Sequence, residues 1–239
     1  MKEFFKSIYN FFKGLGYQKK YEAYRADTAS ELEPLLHCPF ASRLSGYEQK
    51  TRGEYLKGYP EGAILHYTAG RHGDARSDLK LAKDSGFSYM VIDHKGNLFQ
   101  QQDLNKWGYH AGKSSWPEIG ENVSSRLVGI EVQCGGLLTH KNGKFFTWFN
   151  KEIPSSEVRT KYCHETNTWK YFHKFTEAQE AMLLDVLTWL YENNPDVFKT
   201  DLILSHHEVS PDRKEDVGDS LSWSMDELRG IVEARSTVH

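Results

Sequence analysis

Apolar residues along the chain fall into short continuous runs between polar, glycine-marked turns, with longer stretches at helical spacing. Ala63 to Tyr67 is an apolar run of strand length, and alternation puts Ile64, His66 and Thr68 on one face. Asp74 to Ser85 carries Ala75, Leu79 and Ala82 at helical spacing and stops at Gly86. Ser88 to Asp93 and Asn97 to Gln101 predict a hairpin about His94-Lys95-Gly96. Leu127 to Gln133 predicts another strand, with Val128, Ile130 and Val132 on one face and Gly129, Glu131 and Gln133 on the other. Thr176-x-x-Gln179 reads as a capping box before a core-facing helix through Met182, Leu183, Val186, Leu187 and Leu190, stopped by Asn193-Asn194-Pro195. Leu202-Ile203-Leu204 reads as a short buried strand, and Ser224-x-x-Glu227 caps a last helix with Leu228, Ile231 and Val232 inside.

Two segments stand apart from this pattern. Over residues 2–15, Phe4, Phe5, Ile8, Phe12 and Leu15 share one helical face, with Lys6, Asn10 and Lys13 elsewhere. Such a cationic amphipathic helix either makes a weak contact with anionic membrane or wall polymer, or docks its aromatic face on the domain. Lysines interrupt it too often for a secretory signal core, and no small-residue cleavage site follows, so synthesis in the cytoplasm is expected. Gly16 to Gly62 is broken by Pro34, Pro39 and Pro60 and has few aliphatics, so residues 1–62 are expected to be an N-terminal extension wrapped on the domain. Residues 137–174 read as an aromatic-rich insertion: Leu138 to Phe149 predicts a hairpin turning at Lys141-Asn142-Gly143-Lys144, and Trp148, Trp169, Tyr171 and Phe172 lie in the same stretch. A cleft wall, a packing flap and an oligomer contact all fit that composition.

Composition narrows the classes. A chain of 239 residues suits one domain with extensions. A net charge of −3 gives no basic field for nucleic acid, and no apolar run reaches membrane-spanning length. Cys38, Cys134 and Cys163 have no metal-type spacing and leave an odd thiol, which argues against a disulfide framework and leaves room for one bridge.

The candidate chemistry lies behind Leu202-Ile203-Leu204. His206 and His207 emerge where the strand gives way to a polar turn, and Asp216 follows within reach of a folded-back loop. Imidazole and carboxylate together suit zinc, which in catalytic sites takes three protein ligands and leaves one place for water. His66, near the carboxyl end of its own strand, is the candidate third ligand; a buried histidine bonded to backbone is the bland alternative. Glu131 on a central strand costs energy unless it is paired or faces a polar cleft. Trp107 to Trp116 is a loop of aromatic faces with polar tips, suited to sugar and peptide recognition or to pinning a turn.

Six blocks in order resemble the zinc-dependent N-acetylmuramoyl-L-alanine amidases of the type-2 class, a family that includes phage lysozyme-amidases, wall-recycling amidases and peptidoglycan recognition proteins. They are His66-Tyr67-Thr68-Ala69-Gly70, Tyr89 to Gln100, Tyr109-His110-Ala111-Gly112, Val128 to Val132, Phe175 to Gln179, and Pro211-x-Arg213-Lys214-x-Asp216-x-Gly218. The resemblance implies an α/β fold, a central mixed β-sheet flanked by helices, with residues 63–239 as the catalytic domain. It implies one Zn2+ per chain on His66, His206 and Asp216; the family's ten-residue step to the aspartate selects His206 over His207. Glu131 is implied as general base and proton carrier, and Lys214 as the oxyanion stabiliser. His110, Asn122, Arg213 and Trp107 are the implied substrate contacts. Ser88 stands where part of the family has an assisting tyrosine, with Tyr89 one residue away. The implied reaction is hydrolysis of the amide between N-acetylmuramic acid and L-alanine in peptidoglycan or muropeptides. A non-catalytic peptidoglycan-binding module and a zinc peptidase cutting within the stem are the alternatives. A phage lysin, a secreted effector delivered to the wall and an intracellular recycling enzyme all fit such a chain.

Overall fold

The computed structural model describes residues 34–70, 73, 75–164 and 167–236. The amphipathic stretch read over 2–15 and His72 lie outside these residues. Two main sheets are built from β1 (Gly62–Tyr67), β2 (Met90–Ile92), β3 (Leu98–Phe99), β4 (Leu127–Val132), β5 (Leu137–Lys141), β6 (Lys144–Phe146), β7 (Glu152–Ile153), β8 (Val158–Cys163), β9 (Thr168–His173) and β10 (Ile203–Ser205). The helices are α1 (Arg76–Ser85), α2 (Glu177–Asn193), α3 (His206–Val209) and α4 (Met225–Ser236).

The central sheet has the order β10-β1-β4-β2-β3. β10, β1, β4 and β2 run parallel, and β3 returns antiparallel as the edge, so the sheet is mixed. One face carries Ala63, Leu65, Met90, Ile92, Val128, Ile130, Val132 and Ile203 against α2 and α4. The apolar stripes of those helices supply Met182, Leu183, Val186, Leu187 and Leu190, then Leu228, Ile231 and Val232. Each such side chain, fully buried, contributes about 1.5–3 kcal/mol of transfer free energy. Thr176 and Gln179 form the capping box expected from sequence, so α2 starts with its first amides satisfied.

The opposite face is covered in two pieces. Leu79 and Ala82 of α1 pack on Tyr89 and Val91, while Ile64, Leu127 and Leu204 pack on Ala111, Val123 and Val209. Between these pieces the carboxyl ends of β1, β4 and β10 stay polar, with His66 in register opposite Glu131. Ligand sites in parallel sheets form beyond the strands' carboxyl ends, and the candidate residues gather there.

From the N-terminal segment, Cys38 and Tyr59 are wholly buried in the main core, and Gly53–Glu54 pairs with Lys106–Trp107. Residues 137–173 form a second, antiparallel sheet of order β7-β6-β5-β9-β8 that leaves the end of β4. The β5–β6 hairpin turns where the sequence indicates. The β8–β9 hairpin was not expected, because Arg159, Lys161 and Lys170 interrupt its apolar residues and erase a strand-like run. All three cysteines are free thiols.

Candidate active site

Each site residue is set by a local device. β1 delivers His66. Ser205 caps α3 by accepting the Glu208 amide at 3.2 Å, while the Glu208 carboxylate takes the Ser205 amide at 2.7 Å and is held by Arg229 at 2.7 Å. His206 is therefore fixed as the first residue of a one-turn helix at the end of β10. The chain then folds back, and the His207 amide donates to the Asp216 carbonyl at 2.6 Å.

Three ligand-type atoms meet as a result. His206 Nδ1 lies 2.8 Å from His66 Nδ1 and 2.8 Å from Asp216 Oδ2, and His66 Nδ1 lies 3.2 Å from Asp216 Oδ2. All three side chains are buried. Backbone carbonyls assign the ring protons. Ala111 O, 2.9 Å from His206 Nε2, accepts and so requires the proton on Nε2. Leu127 O likewise takes Nε2–H of His110 at 2.9 Å, leaving His110 Nδ1 to accept from His66 Nε2 at 3.1 Å. In the neutral rings, both Nδ1 lone pairs then face the Asp216 carboxylate.

Three acceptors this close require a positive charge among them. Burial pulls His66 down to about 4, against the opposing pull of Asp216, so at neutral pH the ring is uncharged and ligand-ready. Burial also opposes ionising Asp216, but the His206 and His66 rings beside its carboxylate outweigh it wherever they carry a proton toward it, and hold the carboxyl well below the ordinary range. Burial lowers His110 far below its usual value as well. Two neutral imidazole nitrogens and one carboxylate oxygen are a donor set that fits a divalent cation such as zinc.

Gly129 makes room for this arrangement. It pairs with Ile64 on β1, and a Cβ at this position would stand 2.6 Å from the His110 ring. A glycine inside a strand signals such a close approach, although only the packing shows that His110 is the side chain that makes it.

Glu131, beside His66, is half-buried; its Oε2 is shielded from solvent with no hydrogen-bond partner among the described residues. Burial, with Asp216 and Asp78 adding to it, holds its carboxyl well above the usual range, and the Lys214 ammonium opposes the rise. Lys214 also acts electrostatically on His66 and helps keep that ring uncharged. Its backbone is fixed by His207, whose Nδ1–H donates to the Lys214 carbonyl at 2.7 Å.

The residues expected to touch substrate divide. His110 is engaged with His66 and Leu127. Arg213 donates to the carbonyls of Ala111 at 2.7 Å and Lys113 at 3.0 Å, tying the closing loop to the 111–113 loop. Asn122, in the left-handed region at φ 55, lines a cavity of about 540 Å3 with Lys113, Asp212 and Arg213. Trp107 meets Tyr109 edge-on and stands against Gly53, so its contacts run to the N-terminal segment rather than to the cluster.

The second sheet grips the loop that carries Asp216, a link the sequence reading missed. Arg159 Nη1 donates to the carbonyls of Asp219 at 2.9 Å and Leu221 at 2.6 Å, and Lys170 pairs with Glu215 at 2.7 Å. The Phe172 ring occupies the space a Cβ on Gly218 would need.

A mixed α/β sheet with a buried His-His-Asp cluster at its strand ends and a glutamate beside it has the donor set and carboxylate that metal-assisted hydrolysis uses. The profile of the N-acetylmuramoyl-L-alanine amidase family matches residues 56–219, and the chain belongs to that family. No curated protein sequence matches it. Among solved structures, a selenomethionine AmpD derivative superposes with a TM-score of 0.55 at 17% identity, covering 84% of this chain and 98% of that one. AmpDh3 from Pseudomonas aeruginosa, in complex with anhydromuramic pentapeptide, gives 0.50 at 18% identity, covering 78% of this chain and 64% of that one. The endolysin amidase LysCS from Clostridium intestinale gives 0.50 at 15% identity, covering 83% and 98%. At these identities the likeness is one of fold.

Proposed function

We propose that this amidase is zinc-dependent and cleaves the bond between the lactyl group of N-acetylmuramic acid and the L-alanine of peptidoglycan stem peptides. The observation that carries the reading is the convergence of His66 Nδ1, His206 Nδ1 and Asp216 Oδ2 within 2.8–3.2 Å, with both rings oriented by acceptors behind them. The anhydromuramic pentapeptide held by AmpDh3 supports a substrate that joins a muramic acid to a peptide.

His66, His206 and Asp216 would hold the ion, one per chain. Bound there, zinc supplies Lewis acidity that polarises a carbonyl and makes water a stronger acid. Glu131 takes the proton of the attacking water and returns it to the leaving amine. Lys214 would supply an ammonium to the negative charge that gathers on the scissile carbonyl oxygen, a role its electrostatic effect on His66 and Glu131 supports. His110 keeps His66 turned toward the cluster, and Arg213 keeps the two loops together. Asn122 is read as a contact for the stem peptide, and its place in the lining of the cavity beside Lys113 and Arg213 supports that role. No described helix is long and apolar enough to cross a membrane. The proposed place of action is the cell wall or fragments released from it.

Mass spectrometry of digested muropeptides tests the reading. The expected products are a free stem peptide beginning with L-alanine and an intact sugar portion. Fragments cut inside the stem would make the protein a zinc peptidase, and binding without products would make it a recognition module.

A further inference from the structure

The second sheet keeps two of its aromatic residues for its own core. Phe145 and Tyr171 pack with Leu138 and Ile153, and His140 stacks on Phe145 at a centroid separation of 4.9 Å. Trp148 does the reverse: it is 73% exposed. Its indole is nonetheless held, because Nε1–H donates to the Ala69 carbonyl at 2.6 Å and Phe149 meets it edge-on at 5.4 Å. The turn beneath it is closed by Thr147 N–H to the Lys151 carbonyl at 2.9 Å and Lys151 N–H to Thr147 Oγ1 at 3.0 Å. Exposed side chains ordinarily keep their rotamer freedom, and fixing one costs entropy that a solvated ring does not recover.

The anchor is informative. Ala69 stands three residues beyond His66 and adopts φ 46, a conformation uncommon for residues other than glycine. Three residues span at most about 11 Å, so the indole is tethered to the loop by which the chain leaves His66. It is flat, uncharged and open, with the exposed Asn150 in the same turn. A surface of this kind suits a ligand with an apolar C–H face and polar edges, which a pyranose has. A peptide is more commonly held by an open strand edge or by charges.

We propose that Trp148 is a stacking platform for glycan: its indole face receives a sugar that flanks the muramic acid whose amide is cut. This deepens the amidase reading and rests on it. The polymeric wall strand is the ligand it favours, because a single muramic acid at the cluster leaves the platform without its flanking sugar.

The test compares wild type, Trp148→Ala and Trp148→Phe on two substrates: soluble uncrosslinked peptidoglycan strands, and N-acetylmuramoyl-L-alanyl-D-isoglutamine with its single sugar. Trp148→Ala is expected to raise KM on the strands about fivefold to tenfold with kcat retained, the size of a lost aromatic contact. It should leave the single-sugar substrate unchanged. Trp148→Phe, which keeps a ring but loses the anchor, should fall between. Equal losses on both substrates, or no loss on the strands, would overturn the platform. A wild type that cleaves neither substrate refutes the amidase reading instead. Co-sedimentation with stem-free glycan strands then decides the platform by itself, which fails if Trp148→Ala pellets as completely as wild type.

Discussion

His66 and His206 share a design: each gives its Nε2 proton to an acceptor behind it, His110 or the Ala111 carbonyl, and so keeps Nδ1 open toward Asp216. Partners of this kind tune metal affinity by about 10- to 100-fold. Gly129→Ala puts a methyl where the His110 ring stands, and is expected to weaken zinc binding within that range; a chelator-competition titration measures it. Unchanged affinity would mean that His110 does not position His66. Glu131→Gln keeps the shape and removes the base, so kcat should fall by about 10²–10⁴-fold while zinc content holds. Steady-state kinetics with metal analysis on the same preparation checks both halves, and full turnover would remove Glu131 from its proposed role. His66 and His206 were legible as candidates because each stands at the end of an apolar run, whereas Asp216 and Glu131 were singled out by the resemblance of their blocks. The function of His110 was not, since which ring nitrogen meets which acceptor depends on packing between β1, β4 and the 110–112 loop.

Among the elements, the central sheet follows from its apolar runs, and both long helices from their capping boxes and stripes. The second sheet was half-visible. Its β5–β6 hairpin has a turn signature, whereas β8 and β9 carry charges on the side that grips the 215–221 loop. The same charges that hid these strands attach them to the block bearing Asp216. Arg159→Ala removes two short bonds to that loop, and should lower zinc affinity about tenfold, as loss of a supporting contact does. Competition titration reads the affinity, and circular dichroism confirms that the sheet persists. Glu61 offers an independent check at the other end of the strands. Its amide bonds to the Arg126 carbonyl at 2.8 Å, and its carboxylate pairs with Arg126 at 2.6 Å and Lys57 at 2.7 Å. Burial alone would raise its pKa, but these cations prevail and lower it. A depressed carboxyl stabilises the fold above its unfolded pKa, about 4.3, and the benefit fades as pH falls through the folded value. Glu61→Gln should therefore melt below wild type at pH 7, with the gap closing below about pH 4. A gap constant from pH 7 to pH 3 would contradict the pairing.

On the scale of the molecule, a fold that recurs in AmpD and LysCS at low identity is joined here by a second sheet that braces the loop bearing Asp216 and anchors Trp148 to the Ala69 carbonyl. The family blocks made the core architecture readable, because each block is a strand end or a turn with a fixed task. The insertion has no such block, and its part in the site appears only once the strands are paired. The central claim is that three side chains from β1, α3 and the closing loop hold one divalent ion. Zinc content of the purified, zinc-equilibrated protein, measured by inductively coupled plasma mass spectrometry beside His66→Ala, His206→Ala and Asp216→Ala, tests it most directly. One zinc per chain in wild type, lost in each folded variant, is the expected result; a full zinc complement in any of the three would contradict it.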